Sequence, residues 1–436
     1  MTSDLIQSLA TTEEMRELFS DRAVLRAMLA FEIALARAQS RLGMIPANAA
    51  GAIARATPDD FDPAAIACAA RDSATVAIPF VKALAARVES IDAASAGFVH
   101  FGATSQDVID TALILILVRA RPILHRHHEQ IAISLRALSD QHAATVMLSR
   151  TLLQPAPPTT FGYKAAAWFA ALHRTWRRLD RSFSDALQLE FGGATGTLAA
   201  YGDRGPALAV ELAKELSLRL PDAPWHTHRD RLAALIADCG IYVGSMGKIA
   251  RDISLLMQDE IGEVAERGGG SSAIPNKRNP AASVLILAAA TRLPGMVASY
   301  LTAMIQEQER AAGAWQAEWP IIASVIQTTG SAMSTLADML DGLTVNAERM
   351  RANIARTRGS VFAEKAAMLL APKLGRTAAQ ELIAKAARSE PLREALAQDP
   401  QIAALLKPHQ IETIDSPEDY LGAAEIFRRR LLEQKD

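Results

Sequence analysis

An all-α fold is what this sequence predicts, and three observations predict it. Of its 436 residues 50% are hydrophobic but only 5% aromatic, with alanine and leucine foremost, and these two lose little side-chain entropy in a helix. From Arg231 to Gly262, apolar residues recur in alternating steps of three and four, at Leu232, Leu235, Cys239, Tyr242, Met246, Ile249, Ile253 and Leu256. Such a heptad seam calls for packing against other long helices. No run of alternating polarity stands out as a strand, and no internal repeat is evident.

The elements follow in order. A first helix reads from Arg22 to Leu42, stopped by Gly43 and Pro46. Helical segments continue to about Gly97, broken at Thr57-Pro58-Asp59-Asp60 and at Asp62-Pro63. A long helix follows from Thr104 to about Ala144, with Pro122 as a kink point, and another covers about Phe161 to Leu189. Beyond the heptad seam and a glycine-rich break, helix resumes from Asn279 to Gly313, bent at Pro294, and again from about Ile321 to Met350. Helices this long imply an elongated bundle. From Arg351 onward they shorten, punctuated by Asp399-Pro400, Pro408 and Ser416-Pro417. The division expected is an N-terminal helical domain over 1–97, a central long-helix bundle over 98–350 and a small helical domain over 351–436.

Charge and composition exclude several functions. A net charge of -2 and a pI near 6.5 give no global attraction for nucleic acid or an anionic membrane, so any anion binding is local. Two cysteines, Cys68 and Cys239, cannot build a disulfide framework or a multi-cysteine zinc site, and both read as small buried hydrophobes. The opening residues MTSDLIQSLATTEEM lack a basic region followed by an apolar core, and the most apolar run, Ala112 to Val118, is too short for a bilayer. A cytoplasmic soluble protein is expected.

Four segments can carry chemistry. The loop Gly268 to Pro280, GGGSSAIPNKRNP, offers Ser271, Ser272, Lys277, Arg278 and Asn279, with backbone N–H groups able to nest an anion; the bland reading is a flexible connection. It lacks the spacing of a P-loop and no strand precedes it. His100 to Asp110, HFGATSQDVID, opens a long helix with Thr104, Ser105 and Asp107. It reads either as simple N-capping or as a carboxylate site. Ser149 to Gly162 brings Arg150, Thr151 and Gln154 to a proline-rich bend. Trp225 to Arg231, WHTHRDR, stands beside Phe191 to Gly196, FGGATG. Histidines two apart, His226 and His228, do not share a helix face, and His125, His127 and His128 read as a solvated face. No metal site is expected.

Together these blocks resemble the fumarase/aspartase superfamily over nearly the whole chain. GSSAIPNKRNP, Gly270 to Pro280, looks like its signature loop, with Ile274 where methionine is usual. GATSQDVIDTA, Gly102 to Ala112, and RTLLQPAPPTTFG, Arg150 to Gly162, look like its first and second conserved blocks. Within it, FGGATGTLAAYG, PWHTHRDR, QEQERAAGAWQAEW, APKLGR and DYLGAA are similar to the branch of 3-carboxy-cis,cis-muconate cycloisomerases. Leu152 stands where lyases of the superfamily usually have a histidine, which that branch tolerates; Gln308 and Gln316 stand where the branch has histidines. Adenylosuccinate lyase is expected to show a histidine near Ser73 to Val76, and DSATV has none.

The resemblance implies a three-domain subunit in a homotetramer, with active sites shared between subunits, a tricarboxylate substrate and no cofactor. It implies Ser271 as the proton carrier, supported by Lys277. Lys277 and Asn279 would hold one substrate carboxylate, and Thr104, Ser105 and Gln154 another. Thr227 and Arg229 would take a third, with His100, Gln106 and Arg150 also contacting substrate. The rival readings are a C–N or C–O lyase releasing fumarate, a cycloisomerase for a differently substituted muconate, and an inactive helical scaffold.

Overall fold

The computed structural model describes residues 4–270, 274, 277–387 and 390–433. Its long helices are Asp21–Arg41, Ser105–Gln141, Phe161–Ala186, Asp230–Leu256, Ala281–Ala303 and Ala314–Asp341. Two predicted helices are too long. The first stops at Ala303 and gives way to a loop that carries Gln306 to Gly313; the second stops at Asp341, before a separate helix, Ala347–Arg356. Pro122 and Pro294 both lie inside helices.

Contacts gather the chain into two compact units. The first comprises residues 1–128, 175–246 and 288–334, the second 129–174, 247–287 and 335–436. In the first, the Asp21–Arg41 helix begins at Ser20, whose hydroxyl accepts from the Ala23 N–H. Leu25, Met28, Phe31 and Leu35 form its buried stripe against the Ala47–Ile53 and Gly205–Leu216 helices. The heptad seam is buried throughout: no member from Leu232 to Leu256 exceeds 5% exposure. Burial pushes the Cys239 thiol up to about 12. Cys68, by contrast, is exposed, not buried as its apolar neighbours suggested. His128 also departs from expectation. It is buried, stacked on Trp176 with ring centroids 4.6 Å apart, and its Nδ1 lies 2.9 Å from the Tyr242 hydroxyl.

The second unit contains a strand pair that the sequence hid. Val146–Thr151 runs antiparallel to Gln154–Thr160. Pro155, Pro157 and Pro158 mask the second strand because proline cannot donate to a ladder, yet its burial alternates, with Ala156, Pro158 and Thr160 inside. The turn is Leu152–Leu153, with φ of 50° and 66° and exposures of 96% and 73%. A two-residue hairpin needs two left-handed residues, a conformation Asn-Gly takes easily and leucine does not. Val146 and Leu148 enter a core with Phe362, Leu370, Ile383, Leu392, Leu396, Ile402 and Ile414. Glu266 caps the Ala281–Ala303 helix, accepting from the N–H groups of Ala282 (2.9 Å) and Ser283 (3.1 Å).

Two helices, Asp230–Leu256 and Ala281–Ala303, are long and apolar enough to cross a bilayer, longer spans than the run at Ala112 to Val118 suggested. The first is a core helix with 61% of its apolar window buried; the second buries 22%.

Gly162 marks where the Phe161–Ala186 helix crosses the preceding chain. A Cβ there would stand 2.5 Å from the Ser139 carbonyl oxygen and 2.7 Å from that of His142, both backbone. Gly162→Ala is therefore expected to lower stability by about 1–3 kcal/mol. An unchanged thermal midpoint would show that the backbone there yields freely.

Candidate active site

In the first unit the sequence blocks converge on one carboxylate. Asp107 is fully buried near the start of the Ser105–Gln141 helix. Its Oδ2 accepts from the N–H of Thr104 (3.0 Å) and of Gly193 (3.1 Å), and its Oδ1 from that of Gly192 (2.9 Å). His226 Nε2 stands 3.2 Å from the same Oδ1 and 3.0 Å from Glu190 Oε1. Gly192 has no room for a side chain, since a Cβ would meet the His226 ring at 2.8 Å. Three segments distant in sequence are thus tied together by charge-assisted hydrogen bonds.

The ligating atoms of Asp107, Glu190 and His226 lie within 4.8 Å of one another, close enough to hold a cation. The donors around Asp107 already satisfy that carboxylate, and burial, with Asp110 and Asp107 next, raises Glu190 well above the usual carboxylate range.

Arg229, expected at the substrate, is turned inward among carboxylates. Its side chain is 0% exposed, forked on Asp110 (2.7 and 3.1 Å) and on Glu318 (2.7 and 2.9 Å), and its guanidinium lies 4.7 Å from the Trp225 ring centre. Tyr300, Gln306 and Trp315 donate to the same two carboxylates. Gln106 is likewise buried, donating to Asp110 and to the His226 carbonyl. Both expected substrate ligands act as struts: every guanidinium nitrogen of Arg229 is engaged by a carboxylate, and the Gln106 amide by Asp110 and a backbone carbonyl.

Other predicted residues stay accessible. Thr104 and Ser105 are half-buried, and their hydroxyls have no hydrogen-bond partner among the described residues. Thr227 donates to the Gln308 carbonyl at 2.8 Å, and Gln308 sits at φ 47°. Arg310 donates to the carbonyls of Gly193 and Ala194. His100 has φ 56°, and its Nδ1 lies 2.6 Å from Glu32, a residue that periodicity alone would place among core positions.

The remaining predicted residues belong to the second unit. Arg150 forks onto buried Glu263 at 2.7 and 3.0 Å, and Asn353 donates to the same carboxylate at 2.8 Å. Gln154 and Lys277 are exposed. Asn279 closes the base of its loop, its N–H donating to Gly269 at 2.6 Å. Ser271 and Ser272 lie outside the described residues. Sequence reasoning passed over Lys164, whose ammonium burial pulls below its ordinary value; a lone lysine on a helix gives no signal of that.

Residues 8–295 match the profile of the lyase family, and residues 359–431 that of the adenylosuccinate lyase C-terminus. The chain belongs to the lyase family. It is 45% identical to a 3-carboxy-cis,cis-muconate cycloisomerase of Bradyrhizobium diazoefficiens, over 99% of this chain and 98% of that one. It is also 40% identical to a nitrosuccinate lyase of Streptomyces davaonensis, over 93% and 89% of the two chains. The crystal structure of the 3-carboxy-cis,cis-muconate lactonizing enzyme from Pseudomonas putida matches with a TM-score of 0.94 at 39% identity, covering 99% of this chain and 98% of that one. The fumarase/aspartase-like fold expected from its sequence blocks is the observed one, predominantly helical with short strand pairs.

Arg229→Met leaves Asp110 and Glu318 buried without their cation. The variant is expected to lose about 3–5 kcal/mol, against almost nothing for exposed Lys277→Met, by thermal denaturation. Glu190 predicts a pH effect. Its raised folded-state value favours the neutral form, so its contribution is full at low pH and fades as pH rises through that value. Glu190→Gln should flatten the alkaline fall in melting temperature, and a fall as steep as wild type would refute the neutral assignment.

Proposed function

We propose that this lyase is a cycloisomerase interconverting 3-carboxy-cis,cis-muconate and 4-carboxymuconolactone, a step of aromatic (protocatechuate) breakdown. One observation carries the reading: His100 and the free hydroxyls of Thr104 and Ser105 cluster at the N-terminus of the Ser105–Gln141 helix. Partial positive charge at that end favours carboxylates. The 45% identity across the full length to a cycloisomerase supports it. Leu152, in place of the usual histidine, fits chemistry whose nucleophile belongs to the substrate.

In the reaction one substrate carboxylate attacks the diene, and charge moves onto the neighbouring carboxylate as an aci-carboxylate. Donors already in place stabilise that dianion without reorganising. Protonation of the carbon by Ser271 completes the lactone; the serine oxygen, supported meanwhile by loop N–H groups and Lys277, regains its proton from water to close the cycle. Lys277 and Asn279 hold one carboxylate; Thr104, Ser105, Gln154 and Thr227 serve the others. The reading includes a three-domain subunit, divided near residues 97 and 350, in a cytoplasmic homotetramer with shared active sites. The sparsely buried Ala281–Ala303 helix, with Val284 and Leu301 outward, supports assembly.

A second reading is a lyase that releases fumarate, favoured by the 40% identity to a nitrosuccinate lyase. An ultraviolet assay separates the two. Loss of diene absorbance from 3-carboxy-cis,cis-muconate, with lactone as product, is the expected outcome; no loss, with fumarate released from a succinyl compound, would reverse the order. Ser271→Ala should reduce turnover about 10²–10⁴-fold while leaving the assembly intact, and near-normal turnover would remove Ser271 from the mechanism.

A further inference from the structure

Glu32 lies midway along the Asp21–Arg41 helix and is 1% exposed, a costly place for a carboxylate without a partner. Its partner is His100, with Oε1 2.6 Å from Nδ1. His100 holds a left-handed backbone, φ 56°, uncommon outside glycine. The next carbonyl, that of Phe101, is clamped by Gln39 of the same helix at 2.7 Å and by the Tyr201 hydroxyl at 2.7 Å. A strained residue persists where its surroundings over-determine it, and such residues gather at functional sites. The far edge of the ring, Nε2, has no hydrogen-bond partner among the described residues. It belongs to the segment that leads directly into Thr104 and Ser105.

We propose that Glu32 is a positioning residue for the cyclisation, turning His100 so that Nε2 presents a charged N–H to one carboxylate of the substrate. The inference rests on the reading of His100 as a substrate contact. A carboxylate on Nδ1 fixes which nitrogen carries the outward proton, as second-layer partners do for histidines elsewhere. Two charged groups act on the ring, Glu32 from its helix and Asp107 from the Ser105–Gln141 helix, while the Tyr201 hydroxyl holds the neighbouring Phe101 carbonyl. Burial pulls the imidazole down, but Glu32 and then Asp107 outweigh it and hold His100 above its ordinary value. Burial raises Tyr201, so that hydroxyl stays neutral. The charge on His100 is therefore present at lower pH and lost as pH rises through its folded-state value.

Glu32→Gln keeps the shape and removes the charge. Histidine-labelled protein is titrated by NMR, with His100→Gln giving the assignment, alongside kcat and KM across pH. Wild-type His100 should titrate above the ordinary histidine value, and in Glu32→Gln its midpoint should move to lower pH. KM for 3-carboxy-cis,cis-muconate should rise about tenfold with a smaller change in kcat. Adding Glu32→Gln to His100→Gln should cost nothing further. A wild-type midpoint at or below the ordinary value, an unchanged KM in folded Glu32→Gln, or additive losses in the double variant would each overturn the proposal. If Glu32→Gln does not fold, the wild-type titration decides alone. Failure of the wild type to turn over the muconate, with the His100 midpoint still shifting, would overturn the substrate and the role in cyclisation while leaving the Glu32–His100 coupling in place.

Discussion

The first unit depends on keeping buried carboxylates satisfied. Asp107 draws three backbone N–H groups and the His226 ring around one side chain, and those donors come from the segments at Thr104, Gly192 and His226. Each segment is a loop or a helix end, where backbone groups have no regular partner. Without the carboxylate, these segments have no common anchor. Asp107 reaches back to the Thr104 N–H, one half of a capping box, and the Thr104 hydroxyl makes no reciprocal bond among the described residues.

Around that anchor the charges are unequal. Asp107, Asp110, Glu190 and Glu318 are all buried, and among the described residues Arg229 is the arginine forked between two of them. Coulomb attraction in a low-dielectric interior offsets desolvation only when the geometry is good, and Arg229 meets that condition with both forks filled. Burial raises both Glu190 and Glu318 above the usual carboxylate range, Glu190 further because Arg229 forks onto Asp110 and Glu318 and not onto it. Division of labour follows: Arg229 and Gln106 hold the frame, and residues nearer the helix end remain available to a ligand.

Much of this was legible in the sequence, for physical reasons. The heptad seam was readable because burial on one helix face leaves a period in the chain, and every member from Leu232 to Leu256 is inside. The blocks at Gly102, Arg150 and Gly270 were readable as motifs. What stayed hidden was pairing at a distance. Glu32 looks like one polar residue in an apolar helix until His100, 68 positions away, is brought to it. Arg229 looks like a substrate cation until Asp110 and Glu318 enclose it. The hairpin at Val146 to Thr160 was masked by its prolines, whose edge position only pairing reveals.

The Leu152–Leu153 turn bears on the order in which the second unit forms. Most two-residue hairpins close from the tip, because their turn residues favour the left-handed conformation before any strand pairs. Two leucines oppose it. Pairing must then be driven from the other end, where Val146 and Leu148 join a core built by residues about 200 positions further on. The hairpin is thus a non-local element despite its short loop, held by the core it shares with the C-terminal helices. Its amides should exchange with solvent together with those of the C-terminal helices, rather than as a separately stable unit.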